Sequence, residues 1–158
     1  MTETNDTTTL VERLQSVQSQ LKAPKGQKNK FGNYNYRSAE DILEALKPLL
    51  ASNGLALIIT DDIVEIAGRV YVKASASVID AYGAQIGSNG FAREAETKKG
   101  MDDAQITGSA SSYARKYALN GLFSIDDTKD PDSTNTHGKG KTPKPQQNET
   151  ANALEGLI

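Results

Sequence analysis

The chain contains no cysteine and no tryptophan, and its one histidine is His137. Without thiols there is neither a disulfide framework nor a thiolate zinc site. A lone histidine in a polar stretch leaves no His-based catalytic set. Long apolar runs are missing as well: nothing approaches the roughly 18 residues that cross a bilayer. The N-terminus, Met1-Thr2-Glu3-Thr4-Asn5, lacks the basic and apolar regions of a secretory signal. These absences predict a soluble, cytoplasmic protein that makes no membrane contact. Strong charge of one sign is also absent, with 18 basic and 20 acidic residues giving a net of −2. No global field draws the chain onto a polyanion, so any nucleic-acid binding has to come from local clusters of lysine and arginine.

The residues that are present order themselves into elements. Leu10, Val11, Leu14, Val17 and Leu21 recur at steps of three and four, predicting an amphipathic helix from Thr8 to Lys22 that Pro24 ends. From Lys22 to Arg37 the chain carries Lys22, Lys25, Lys28, Lys30 and Arg37 without an acid, interleaved with Phe31, Tyr34 and Tyr36. Its glycines and asparagines predict a loop or an irregular strand. Ser38 is an N-cap candidate with Asp41 three residues on. Ile42, Leu43, Leu46, Leu49 and Leu50 form the stripe of that helix, Pro48 bends its last turn, and Asn53-Gly54 stops it. Strands are predicted at Leu55–Thr60, Arg69–Asp80 and Ala84–Glu94, with turns at Asp61–Gly68 and Asp80–Gly83. Glu96 to Gly100 reads as mobile, and Asp102 or Asp103 caps a last helix that closes on Asn120-Gly121.

The sum is an α+β fold, helices packed on a small antiparallel three-stranded sheet. Residues 1–7 read as a flexible N-terminus and 8–127 as one domain. Residues 128–158 read as a disordered tail that ends in a short acidic-apolar tag, Asn152 to Ile158.

Two segments carry candidate chemistry. Single-stranded nucleic acid is held by cations that track phosphates and by rings on which bases stack. In the basic loop Lys28, Lys30 and Arg37 suit the first task, and Phe31, Tyr34 and Tyr36 the second. The competing reading is a solvated loop whose tyrosines alternate into the core. On the last helix Ile106, Ala110, Tyr113 and Tyr117 fall on one stripe, which favours core positions for both rings. Arg115 and Lys116 leave that stripe after the small residues Gly108, Ser109, Ala110, Ser111 and Ser112, so a phosphate can come close; an ordinary wet helix face is the alternative. Lys73 stands opposite the valine face of the central strand. Arg93 and Lys98-Lys99 add a basic element that Glu94 and Glu96 dilute, a salt-bridged strand end being the alternative. Asp102, Asp103, Asp126 and Asp127 raise the question of a Mg²⁺ nuclease. With no nucleophile–base pair and no phosphate-cradling glycine loop, however, neither an enzyme nor ATP use is expected, and no cofactor or metal.

The run Lys99-Gly100-Met101-Asp102-Asp103-Ala104-Gln105, Gly108-Ser109-Ala110, Ser112-Tyr113-Ala114-Arg115-Lys116-Tyr117-Ala118-Leu119 and Leu122-Phe123-Ser124-Ile125 before Asp126-Asp127 resembles the ERF (essential recombination function) family. Upstream, Asn33-Tyr34-Asn35-Tyr36-Arg37 and Asn53-Gly54-Leu55 are similar to it too. These are single-strand annealing proteins of bacteriophages and prophages, and the likeness spans about Leu10 to Asp130. It implies binding of single-stranded DNA and annealing of complementary strands without ATP. It also implies rings or helical filaments, a β-β-β-α core, and a bacterial cytoplasm as the place of action. The short tail departs from the family pattern, leaving a host single-strand-binding protein as a candidate partner for the terminal tag.

Overall fold

A computed structural model describes residues 8–125. The expectations for residues 1–7, for Asp126 and Asp127, and for the tail with its tag and His137 lie outside the described residues. Helix α1 spans Leu10–Gln20, a small hairpin is made of β1 (Gln27–Asn29) and β2 (Tyr34–Tyr36), and α2 spans Ala39–Ser52. Then come β3 (Ala56–Ile66), β4 (Arg69–Ile79), β5 (Gln85–Arg93) and α3 (Asp103–Leu122). β3, β4 and β5 form an antiparallel sheet in that order, and the hairpin is a separate two-stranded sheet. The expected α+β class with three helices and a three-stranded antiparallel sheet is what the chain adopts.

Each helix starts on a reciprocal cap. Thr9, Ser38 and Asp102 accept from the backbone of Glu12, Asp41 and Gln105, whose side chains accept in return from the cap N–H groups. α2 ends as the Asn53-Gly54 pair predicts. Gly54 has φ 62°, and Leu55 N–H reaches back to the carbonyl of Leu50 at 3.0 Å. Pro48 does not end α2, which runs on to Ser52. α3 passes through Asn120-Gly121 and stops later: Ser124 takes the left-handed position at φ 54°, and Ile125 N–H donates to the Asn120 carbonyl at 3.0 Å. A serine fills the place expected of glycine because Leu122 and Phe123 are buried and carry the helix further into the core.

Two strand expectations change. Asp61–Gly68, expected as a turn, is mostly strand: β3 pairs with β4 without interruption from Ala56↔Ile79 to Ile66↔Arg69. The turn is only Ala67 and Gly68, both at positive φ, as tight hairpins require. Aspartate is disfavoured in strands, but Asp61 has partners on α3 that its sequence neighbours do not reveal. The basic loop, in turn, pairs as a hairpin, Gln27↔Tyr36 through Asn29↔Tyr34.

α3 packs across β5 and β4. Val72, Ala74, Ala76 and Val78 of β4 face Ala110, Ala114 and Ala118 of α3, all buried. The small side chains bring helix and sheet very close at Gly90. A Cβ there would lie 2.2 Å from the Ala114 carbonyl oxygen and 2.4 Å from the Ala118 nitrogen. Leu14, Val17, Ile42, Leu46, Leu119 and Phe123 continue the same core between the helices. Val11, expected on the buried stripe of α1, is exposed.

Candidate nucleic-acid interface

The hairpin is held at its base and free at its tip. Gln27 Nε2 donates to Asp41 Oδ2 at 2.7 Å, fastening β1 to the N-terminus of α2. Hydrogen bonds from Ser38 and Gln27 keep the Asp41 carboxyl below its ordinary range. At the tip Asn29 Oδ1 accepts from the backbone of Phe31 and Gly32 at 2.9 and 3.1 Å, while its amide donates to the Tyr34 hydroxyl at 3.0 Å. These bonds hold the four-residue turn in shape with no core beneath it. Phe31 is wholly exposed and Tyr34 half exposed; Tyr36 meets Tyr34 edge-on at 6.3 Å. Lys28 and Lys30 are exposed beside them.

Arg37 differs from the expectation of an open phosphate contact. It is 4% exposed, and its guanidinium donates to the Ala23 carbonyl, tying the chain after α1 to the start of α2. Its charge still counts. Lys116 on α3 is half-buried with a depressed ammonium pKa, first because burial disfavours the charged form, then because Arg37 and Lys25 lie near. Lys116 has no carboxylate partner among the described residues; its ammonium sits 4.6 Å from the centre of the Tyr113 ring. Fold and hairpin thus bring Lys25, Arg37 and Lys116 into one positive cluster.

The tyrosines overturn the core expectation. Tyr113 and Tyr117 are 47% and 48% exposed, with ring centres 6.2 Å apart. Ala110, Ala114 and Ala118 take the sheet-facing stripe instead, since the approach at Gly90 leaves no room for rings. The rings flank β5, and the cleft they line with Lys98 runs along the edge of the strand at Phe91, Ala92 and Arg93, consecutive residues that belong to alternate faces of the sheet. Arg115 lies on the other flank of α3, over β3. Its Nη2 sits 3.0 Å from Asp61 Oδ2, its Nε donates to both carboxylate oxygens at 3.1 Å, and Ser111 Oγ adds a bond of 2.5 Å. Burial alone would raise the Asp61 pKa; the bonds from Arg115 and Ser111 outweigh it and hold the carboxyl low. Arg115 is therefore not an open cation. Lys73 alternates with the buried residues of β4 and so stands on the sheet face away from α3. It is not brought to the Lys116 cluster, nor is Arg93.

No group of three acids, histidines or cysteines that could hold a metal is found among the described residues. Asp102 is occupied as the α3 cap, accepting from Gln105 N–H at 2.8 Å.

The ERF superfamily pattern matches residues 10–155, nearly the whole chain. The chain belongs to the ERF superfamily. It is 59% identical over 121 residues to the Essential recombination function protein of Salmonella phage P22, an overlap covering 77% of this chain and 58% of that protein. It thus spans less than two-thirds of that relative's length. Within this ERF-superfamily chain, two interface residues escape a reading by sequence. Lys25 joins the cluster only because Arg37 and α3 fold onto it, and Asp61 gives no signal beyond an acid in an apolar run. No helix among the described residues is long and apolar enough to cross a membrane.

Proposed function

We propose that the chain is a single-stranded DNA-binding recombination protein that anneals complementary strands without ATP, acting as a homo-oligomer. The observation that carries this reading is the convergence of Lys25, Arg37 and Lys116 beside a hairpin whose tip exposes Lys28, Lys30, Phe31 and Tyr34. An ammonium depressed first by burial and then by neighbouring like charges gains when an anion arrives. A phosphate at Lys116 relieves the repulsion, while bases stack on Phe31 or Tyr34 without regard to sequence. Arg115 joins only by exchanging Asp61 for a phosphate. Membership of the ERF superfamily and the name of the phage P22 relative support recombination as the setting.

One protomer offers few cations, and the net charge of −2 opposes a polyanion. Repetition of the cluster along an oligomer turns weak contacts into useful affinity. A strand held by its phosphates keeps its base edges open, and duplex pairing then supplies the driving force, so neither a catalytic residue nor a cofactor is required.

The test mixes complementary fluorescent oligonucleotides with the protein, without nucleotide, and images the same sample by electron microscopy. Faster annealing by assembled particles is expected. Binding with unchanged or slower annealing would make the chain a passive single-strand binder, and Mg²⁺-dependent cleavage would make it a nuclease.

A further inference from the structure

The three-stranded sheet has two long edges with no further strand partner among the described residues. β3 pairs only with β4 along its 11 residues, and β5 only with β4 along its 9. Natural edges of this length are ordinarily blunted by proline, a bulge or charged side chains, and the acids of β3 repel a like edge but not a basic one. β3 and β5 contain no proline or lysine, and both registers run without a bulge. The edges also differ in sign. β3 carries Asp61, Asp62 and Glu65 and no base; the one charged residue of β5 is Arg93.

We propose that β5 of one copy takes β3 of a second copy as its next strand, head to tail, with Asp62 of one copy beside Arg93 of the other. This rests on the homo-oligomer of the preceding reading and names the surface that builds it. Asp62 and Arg93 share the sheet face away from α3, through their pairing with Lys73 and Tyr71 of β4, so a continuous sheet brings them together on that face. On the other face, Ile63 shares its side with Val72 and is 60% exposed. In the joined sheet it turns towards the Tyr113 and Tyr117 rings that flank β5, so the cleft beside α3 is completed by the neighbour. The like-with-like alternatives are poorer. Joining β3 to β3 about its midpoint sets Asp61 against Asp61 of the second copy. Joining β5 to β5 makes two pairs of tyrosines compete for the same space. Because each copy contributes three strands, an odd number, a rotation that preserves strand direction makes the new seam parallel, although every pairing within the copy is antiparallel. Such a heterologous junction closes into a ring or runs on as a filament.

The absence of cysteine permits a clean test. A chain carrying both Asp62→Cys and Arg93→Cys should give, on mild oxidation, a ladder of covalent multimers, since neighbouring strands lie about 4.8 Å apart and disulfides accept Cα separations of about 4.4–6.8 Å. Each single cysteine variant should give none. In parallel, full-length Asp62→Lys and Arg93→Asp chains, checked for native circular dichroism, are sedimented without DNA. Each alone should be monomeric, and a 1:1 mixture should recover the assemblies of the unaltered chain. The proposal is overturned by dimers from a single cysteine variant, by the absence of a ladder, by reversals that leave assembly unchanged, by a mixture that stays monomeric, or by an unaltered chain that never assembles. Oligonucleotide binding is measured on the same samples. Assembly that obeys the reversals without any DNA binding would sink the functional reading and leave the seam standing; annealing by assemblies indifferent to them would do the opposite.

Discussion

The seam between α3 and the sheet and the hairpin at residues 27–36 are opposite answers to one problem. At the seam, alanines at 74, 76, 110, 114 and 118 with Gly90 let two backbones meet, and almost nothing there is exposed. In the hairpin no residue is buried, and shape comes from Asn29 and from the fastening to Asp41. The seam has no tolerance for added volume because its atoms are already in contact. The hairpin has no core to lose, so its side chains are free to serve a ligand. What the comparison teaches is that stability and binding have been placed on different parts of this chain.

The largest effect should come from adding bulk to the seam. Gly90→Val should cost at least about 1–3 kcal/mol, as overpacking of a filled core does, read as a lower unfolding midpoint in denaturant. Truncating the hairpin tip should act the other way round. Phe31→Ala should leave stability within about 0.5 kcal/mol, as for exposed sites generally. It should weaken single-strand binding by about 1–3 kcal/mol if a base stacks there. A stability loss without an affinity loss would erase the contrast.

Lys116 sits between the two regions and sharpens the boundary. Lys116→Ala should lower affinity and make the slope of log K against log salt shallower by about 0.7, one single-strand phosphate contact. Since its pKa is depressed, its charge disappears at a lower pH than that of an ordinary lysine. Affinity should therefore begin to fall earlier on the alkaline side, and Lys116→Arg should remove that early fall. An alkaline limb identical in both chains would detach Lys116 from the site.

The smallest effect belongs to the Asp61–Arg115 link, a partly exposed pair of the kind that contributes about 0–1 kcal/mol. The Asp61 pKa is depressed in the folded state, so its contribution is present above the unfolded-state value and is lost as pH falls through the folded one. Asp61→Asn should slightly flatten the acid side of the stability profile; denaturant melts across that range would show it. Arg115→Ala should mimic this loss, changing stability more than salt-dependent binding.

Much of the frame is legible in the sequence. Ser38 with Asp41, Asn53-Gly54 and the alternation of Val72 to Val78 are local codes, written in the spacing of neighbours, and each is met in the fold. The site was less legible. Tyr113 and Tyr117 keep the helical period of a core stripe, yet Gly90, more than twenty residues upstream, decides that only alanines fit there. Arg37 reads as a phosphate ligand in a basic run, but its fate is set by the Ala23 carbonyl. Asp61 reads as a turn residue because its partners, Ser111 and Arg115, are 50 and 54 positions away.

By itself the sequence determined the three helices, the three-stranded sheet and the caps at Ser38 and Asp102, since these follow from patterns within a few residues along the chain. Which charges are spent on the fold and which remain for a ligand was decided only in three dimensions. A side chain's partner is whatever distant segment arrives beside it, and here that arrival buried Arg37, tied Arg115 to Asp61 and left Lys116 among like charges.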